Sequence, residues 1–226
     1  MVEGTAAKPK LAIIHTTPVT VEPLKSLALE RIPNVEIFNL VDDSILPELA
    51  ANGGRVEAVR ERWSQYAAIA ERLGADCILN ACSSIGELCA RVQPGIGVPI
   101  VRIDEAMAEH AVRSAARIGV AATLETTLQP TQRLLRAKAE QAGRTALLEP
   151  VVAASAYKLL MAGDKEGHDR ELAETLRLLA ERTDVVVLAQ ASMARVLDRF
   201  EPEERRKFLT SPGLGMDRVK QVLETK

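Results

Sequence analysis

Two short stretches carry the residue types best suited to chemistry. In "ILNACSSIGE", residues 78–87, an apolar run ends and Cys82 is followed at once by Ser83 and Ser84. In "VVLAQASMAR", residues 186–195, the same shape returns with Gln190 in the place of the cysteine, followed by Ala191 and Ser192. A thiol at the end of a strand, where a helix starts, meets free backbone N–H groups. Its anion is favoured there, and its pKa is expected to fall below about 8.5. Such a thiolate can act as a base or as a nucleophile. A lone cysteine is also commonly just a small buried apolar residue. That second reading fits Cys77, in mid-strand, and Cys89, one or two turns into the next helix.

His15 ends another apolar run. Its imidazole could accept the thiol proton or serve as a second acid/base near neutral pH. A histidine hydrogen-bonded to backbone in a turn would look the same. His110, among alanines, and His168, in a charged stretch, read as surface or packing residues.

Small polar residues gather at the ends of four apolar runs: His15-Thr16-Thr17, Cys82-Ser83-Ser84, Thr123 with Thr126 and Thr127, and Gln190-Ala191-Ser192. In a parallel sheet, ligands collect beyond the carboxyl ends of the strands, where helix N-termini aim N–H groups at anions. Facing one another, the four segments would line a pocket rich in hydroxyls and amides and poor in charge. That suits a carboxylate held by neutral donors. The same hydroxyls could equally be helix caps.

The elements that must position these residues follow from periodicity. Short apolar runs at 11–14, 35–39, 77–80, 100–103, 118–122, 146–148 and 185–189 read as strands. Between them lie amphipathic segments such as "RVEAVRERWSQYAAIAERLG" and "TTLQPTQRLLRAKAEQAG", with Gly74 and Gly143 as helix stops. Strand and helix alternating at this rhythm predict right-handed βαβ units and a mostly parallel sheet. The chain also repeats. "KLAIIHTTPVTVEP" aligns with "RIGVAATLETTLQP" at an offset of 107, and "DCILNACSS" with "DVVVLAQAS" at 108. We therefore expect an α/β fold of two pseudo-symmetric lobes, with mostly parallel sheets flanked by helices and a cleft between them. The first lobe would span 1–103, with the C-terminal helix completing it, and the second 104–226, entered by a crossover helix near 104–117.

Composition bounds the partners. At 226 residues and 47% apolar, the chain can bury a large core, yet only 3% is aromatic. That core must be built from Ala, Val, Leu and Ile. The net charge of −2, without a dense Lys/Arg block, offers no footprint for nucleic acid. No run approaches the roughly 18–20 apolar residues of a membrane span, and the N-terminus lacks a signal-peptide core. A cytoplasmic protein with no membrane partner is expected. Three cysteines spaced five and seven apart suit neither a disulfide framework nor a zinc site, and no nicotinamide fingerprint appears. We expect no metal and no cofactor. Amphipathic helices on outer faces suggest a homo-oligomer.

In order and spacing these motifs resemble the cofactor-independent aspartate/glutamate/hydantoin racemase superfamily, which includes maleate isomerases and arylmalonate decarboxylases. Ala81-Cys82-Ser83-Ser84 is similar to the Ala-Cys-Asn-Thr of glutamate racemases, and Ala189-Gln190-Ala191-Ser192 stands against their Gly-Cys-Thr-His. "IIHTTPVT" resembles the family's first strand and loop, with His15 where glutamate racemases carry an aspartate. "GVAATLETT" and "VPIVRIDEA" resemble its mid-chain strands. The resemblance implies a racemase- or isomerase-type enzyme acting at the carbon α to a carboxylate of a small amino acid, hydantoin or dicarboxylate. Cys82 and His15 would be catalytic. Thr16, Thr17, Asn80, Ser83, Ser84, Thr123, Thr126, Thr127, Gln190, Ala191 and Ser192 would bind substrate.

The departure is Gln190. A two-base racemase needs an exchangeable proton on each face of the substrate, and a carboxamide supplies none near neutral pH. Three routes remain open. His15 could replace the missing base. Cys82 could work alone, by one-sided proton transfer, by addition to a double bond, or by protonating the enolate left by decarboxylation of a malonate-like acid. Or Gln190 could bind a polar group while Cys82 attacks as nucleophile. A non-catalytic carboxylate-binding homologue is the alternative outside enzymes.

Overall fold

The structure, a computed structural model, describes residues 8–225. The first half runs β1 (Lys10–His15), α1 (Val21–Arg31), β2 (Glu36–Val41), α2 (Ile45–Ala51), α3 (Glu57–Arg72), β3 (Cys77–Asn80), α4 (Leu88–Val92) and β4 (Ile100–Arg102). The second runs α5 (Glu105–Ser114), β5 (Arg117–Ala122), α6 (Glu125–Gln141), β6 (Leu147–Val152), α7 (Ala154–Met161), α8 (Lys165–Glu181), β7 (Val185–Leu188), α9 (Pro202–Arg205), β8 (Phe208–Thr210) and α10 (Ser211–Glu224). The strands form two four-stranded sheets in the orders β2-β1-β3-β4 and β6-β5-β7-β8. Every pairing is parallel. The two orders are the same order repeated, so each sheet reverses direction of winding beside its first strand. The ends of β1 and β3, and of β5 and β7, are thus the switch points where parallel sheets hold ligands.

Side-chain alternation explains why both faces of each sheet are covered. Leu11 and Ile13 of β1 join one apolar cluster, whereas Ala12 and Ile14 join the cluster on the other side. A strand buried on both faces reads as a continuous apolar run, as β1, β5 and β7 do. On α3 the residues Val59, Trp63, Ala67 and Ala70 recur every three or four positions and are buried against the first sheet. Gly74 and Gly143 stop α3 and α6 with φ of 81° and 61°, left-handed backbone that glycine adopts without cost from a Cβ.

The helix that follows the last strand of each sheet, α5 after β4 and α10 after β8, packs on the other sheet. Met107, Ala108, Ala111 and Val112 of α5 pack with Ile118, Val120 and Val187 of the second sheet. Met216 and Val219 of α10 pack with Leu11, Ile13 and Val101 of the first. The two helices touch each other, and Arg218 of α10 binds Glu109 of α5 at 2.7 Å. Close approach of α10 depends on Gly215, where an added Cβ would lie 2.5 Å from the Ile103 carbonyl oxygen. We expect Gly215→Ala to destabilise the fold by about 1–3 kcal/mol, read as a lower urea midpoint with an unchanged slope.

Some elements differ from expectation. Strand β8 is three residues long and carries no apolar run to betray it. Strand β6 extends to Val152 through Pro150, which the chain tolerates because β6 is an edge strand. Of the two readings of His168, surface or packing, the buried one holds, with Asp169 Oδ1 2.7 Å from its Nδ1. No described helix is long and apolar enough to cross a membrane. No metal-ligating cluster occurs among the described residues.

Candidate active site

Beyond the carboxyl end of β3 the chain stays extended through Cys82 (φ −128°, ψ 113°) and then makes a single 3-10 turn, Ser83–Ile85. Beyond β7 it does the same. Gln190 is extended (φ −119°, ψ 132°) and leads into a longer 3-10 segment, Ala191–Arg199. The thiol and the carboxamide therefore occupy equivalent places in the two halves.

Each is met by the threonine just beyond the neighbouring strand, Thr16 after β1 and Thr123 after β5. The Thr16 and Ser84 hydroxyls and the backbone N–H groups of Ser84 and Ile85 face the Cys82 sulfur and favour its anion. Across the pseudo-twofold, Gln190 Oε1 accepts from the Thr123 N–H at 2.7 Å and from the Thr123 hydroxyl at 2.9 Å. One bond joins the halves directly at this level, between the hydroxyls of Ser84 and Thr127 at 3.1 Å. Thr131 in turn donates to the Thr127 carbonyl, steadying the first turns of α6.

The electrostatics of Cys82 are the reverse of the sequence expectation. Its side chain is only 7% exposed, and burial pushes the thiol pKa up, against the four donors that pull it down. The helix that was to stabilise a thiolate is one short turn, too brief to present a full set of free N–H groups. Cys82 is thus a neutral thiol at physiological pH. We expect its alkylation by iodoacetamide to be slow at pH 7 and to go on quickening beyond the pH at which a free thiol's rate levels off. Peptide mass spectrometry would separate it from Cys77 and Cys89, and complete labelling at pH 7 would contradict the burial argument.

His15 also departs from its expected role. It is fully buried, its Nε2 lies 2.9 Å from Asn39 Oδ1, and its Nδ1 lies 2.8 Å from the Thr20 hydroxyl. Burial lowers its pKa, which keeps the ring neutral, and both ring nitrogens are engaged within the first lobe. The imidazole therefore holds the loop after β1 in place and has no nitrogen to offer Cys82 or a substrate. Asn80 behaves in the same way. Fully buried, it donates from Nδ2 to the Cys82 carbonyl at 3.0 Å and supports the loop from behind.

Of the other candidates, Thr16, Ser83, Ser84, Thr123 and Thr127 are buried near the junction of the lobes, while Thr17, Thr126 and Ala191 are half-buried. Thr17 caps the Pro18–Thr20 turn by accepting the Val19 N–H. Ser192 is exposed. The turn Pro18–Thr20 touches the Ala191–Arg199 segment, and α6 packs on the Ser83–Ile85 turn, so both sheets present their carboxyl ends to one another.

Sequence reasoning missed one buried pair. Arg102, at the end of β4, grips Asp104 through two bonds of 2.6 and 3.0 Å. Its guanidinium crosses Gly86, in the Cys82 loop, where a Cβ would lie 2.3 Å from Nε. The signal was present in "VRIDE": two opposite charges two residues apart beside an apolar strand. A cavity of about 190 Å³ lies next to this pair, between Glu87, Arg102 and the α6 residues Pro130 and Arg133. A larger hollow of about 740 Å³ sits at the opposite end of the second sheet, by Arg117, Asp184 and Lys207, remote from the thiol. Cys82 is thus enclosed, and the Ser84–Thr127 bond spans the two halves beside it.

The Asp/Glu/Hydantoin racemase family model matches residues 13–216. Among solved structures, the Picrophilus torridus aspartate racemase superposes with a TM-score of 0.74 at 12% identity, over 96% of this chain and 94% of that one. A glutamate racemase isoform of Bacillus anthracis gives 0.72 at 14%, over 97% and 83%. A mutant arylmalonate decarboxylase in a sulfate-associated form gives 0.58 at 12%, over 96% and 94%. At such identities the likeness to these structures is one of fold. No match is found among curated proteins.

Proposed function

Because the chain belongs to the Asp/Glu/hydantoin racemase family, we propose that it is a cofactor-independent enzyme of racemase or isomerase type. It works at the carbon α to a carboxylate of a small amino acid, hydantoin or dicarboxylate. Cys82 is its single proton-transferring side chain, and Gln190 stands in for a second thiol. One observation carries this reading: Cys82 and Gln190 hold equivalent places in the two lobes, each met by the threonine just beyond the adjacent strand. A constellation of that symmetry encloses one reacting carbon from two sides, but only one side can exchange a proton.

The consequence is one-sided chemistry. The fraction of Cys82 present as thiolate takes the α-proton to become the thiol, and the C–H electron pair moves into the carboxylate to form an enediolate. A proton then returns to carbon from the face that Cys82 occupies. Neutral donors at the strand ends stabilise the enediolate oxygens. A second reading draws on the raised thiol pKa. A thiol that rests protonated is suited to protonating an enolate that arises without base, as when a malonate-like acid loses CO₂. Both readings end in the same proton delivery.

The test is turnover in D₂O across amino acids, hydantoins, maleate and substituted malonates. For an accepted substrate, deuterium should enter the α-carbon with a single configuration, and Cys82→Ala should abolish its entry. Complete racemisation by the native chain, or deuterium entry that survives loss of the thiol, would refute one-sided transfer by Cys82. Binding without any turnover would mark a non-catalytic relative.

A further inference from the structure

The orientation of Gln190 carries information that its residue type alone does not. A carboxamide can usually be turned either way, since its oxygen and nitrogen are alike in size. Here it cannot. The Thr123 backbone N–H can only donate, so the atom 2.7 Å away must be the carboxamide oxygen. The Thr123 hydroxyl, 2.9 Å from the same oxygen, fills its second lone pair. The NH₂ group is therefore turned away from Thr123, and it has no protein partner among the described residues. Gln190 is half-buried at the carboxyl end of β7, the end at which the two lobes meet.

We propose that Gln190 is the specificity-determining residue of the cleft, a fixed hydrogen-bond donor that selects ligands bringing a carbonyl or carboxylate oxygen to the second lobe. The inference rests on the functional reading above, in that it assumes the ligand lies between Cys82 and Gln190. Its content is separate. The NH₂ has two N–H groups and no lone pair to give, so it pairs with an acceptor and repels an ammonium group. The favoured substrates carry oxygen acceptors on both sides of the reacting carbon, as malonates and hydantoins do. An α-amino acid that must point its ammonium at this position is disfavoured. Thr123 is the positioning residue: it acts on the ligand only through the side chain it locks.

The decisive comparison uses two probes, malonate and alanine, with affinities measured by calorimetry on the full chain. Alanine replaces one carboxylate of the pair by an ammonium and a methyl. The native protein should bind malonate at least about tenfold more tightly. Gln190→Glu keeps an oxygen for Thr123 and so keeps the lock, but turns an acceptor toward the ligand. It should lower malonate affinity by about tenfold or more and reverse the preference between the two probes. Thr123→Val removes one of the two ties, and should weaken malonate binding by a smaller factor while leaving alanine unaffected. A native protein that binds malonate no more tightly than alanine overturns the proposal, as does a preference unchanged in Gln190→Glu. Neither result bears on Cys82, whose role fails separately if turnover survives its removal.

Discussion

Replacing Cys82 by alanine should lower turnover of any accepted substrate by about 10²- to 10⁴-fold, the usual contribution of a positioned proton donor or acceptor. No other group can take over. Cys77 lies fully buried within β3, and Cys89 is held by burial at a pKa of about 12 in α4. The His15 nitrogens are engaged by Asn39 and Thr20. Stability should hardly change, because the substitution removes one small buried atom, a loss of about 1 kcal/mol. Cys82→Ser separates chemistry from packing. Its hydroxyl can keep the bonds to Thr16 and Ser84, yet it holds its proton far too strongly to exchange it. The serine variant should therefore match the alanine variant in rate and the native chain in melting temperature. A serine variant with native turnover would mean that the side chain at 82 merely fills space.

Gln190→Cys should have the opposite sign. Under the proposed one-sided mechanism the native chain returns a proton to one face alone, so the inverted product should form at a rate near background. With a thiol in each lobe, inversion should become measurable and rise by about 10²-fold or more over the native chain. The prediction is more than an exchange of letters, because the second site is already dressed for a thiol. The Thr123 N–H and hydroxyl, which now hold Gln190 Oε1, would face the new sulfur much as Thr16 faces Cys82. Chiral chromatography of the product checks it. If deuterium still enters with a single configuration, then geometry, and not the missing proton, limits the second face.

How far the sequence revealed this arrangement depended on the range of the interactions involved. The unbroken apolar run of β1, and the spacing of Val59, Trp63, Ala67 and Ala70, are local, and they announce strand and helix directly. Recurrence of one motif at nearly constant offset announced the two lobes: β1 and β5 begin at Lys10 and Arg117, and β3 and β7 at Cys77 and Val185. What stayed hidden was set by atoms brought together from afar. The Cys82 pKa depends on how deeply the folded chain encloses the sulfur, and periodicity does not report depth. His15 lost its expected role to Asn39, 24 residues away on the edge strand. Gln190 could be matched by position to Cys82, but its direction comes from Thr123, 67 residues earlier. Strand β8 escaped notice because its apolar pair Phe208-Leu209 directly follows the charged stretch 203–207 and makes no run of its own.

The crossing of α5 and α10 has a consequence for what each half could be without the other. Cut at residue 103, the leading fragment would expose Leu11, Ile13 and Val101 where α10 belongs, and the trailing one would carry α10 with nothing to cover. Neither piece is a miniature of the whole, so the halves should melt together in one transition. A half-length forebear of this architecture would have needed a twin, each copy lending its terminal helix to the other. Were such a swapped pair fused into one chain, its two copies of the site would be free to differ, as Cys82 and Gln190 do.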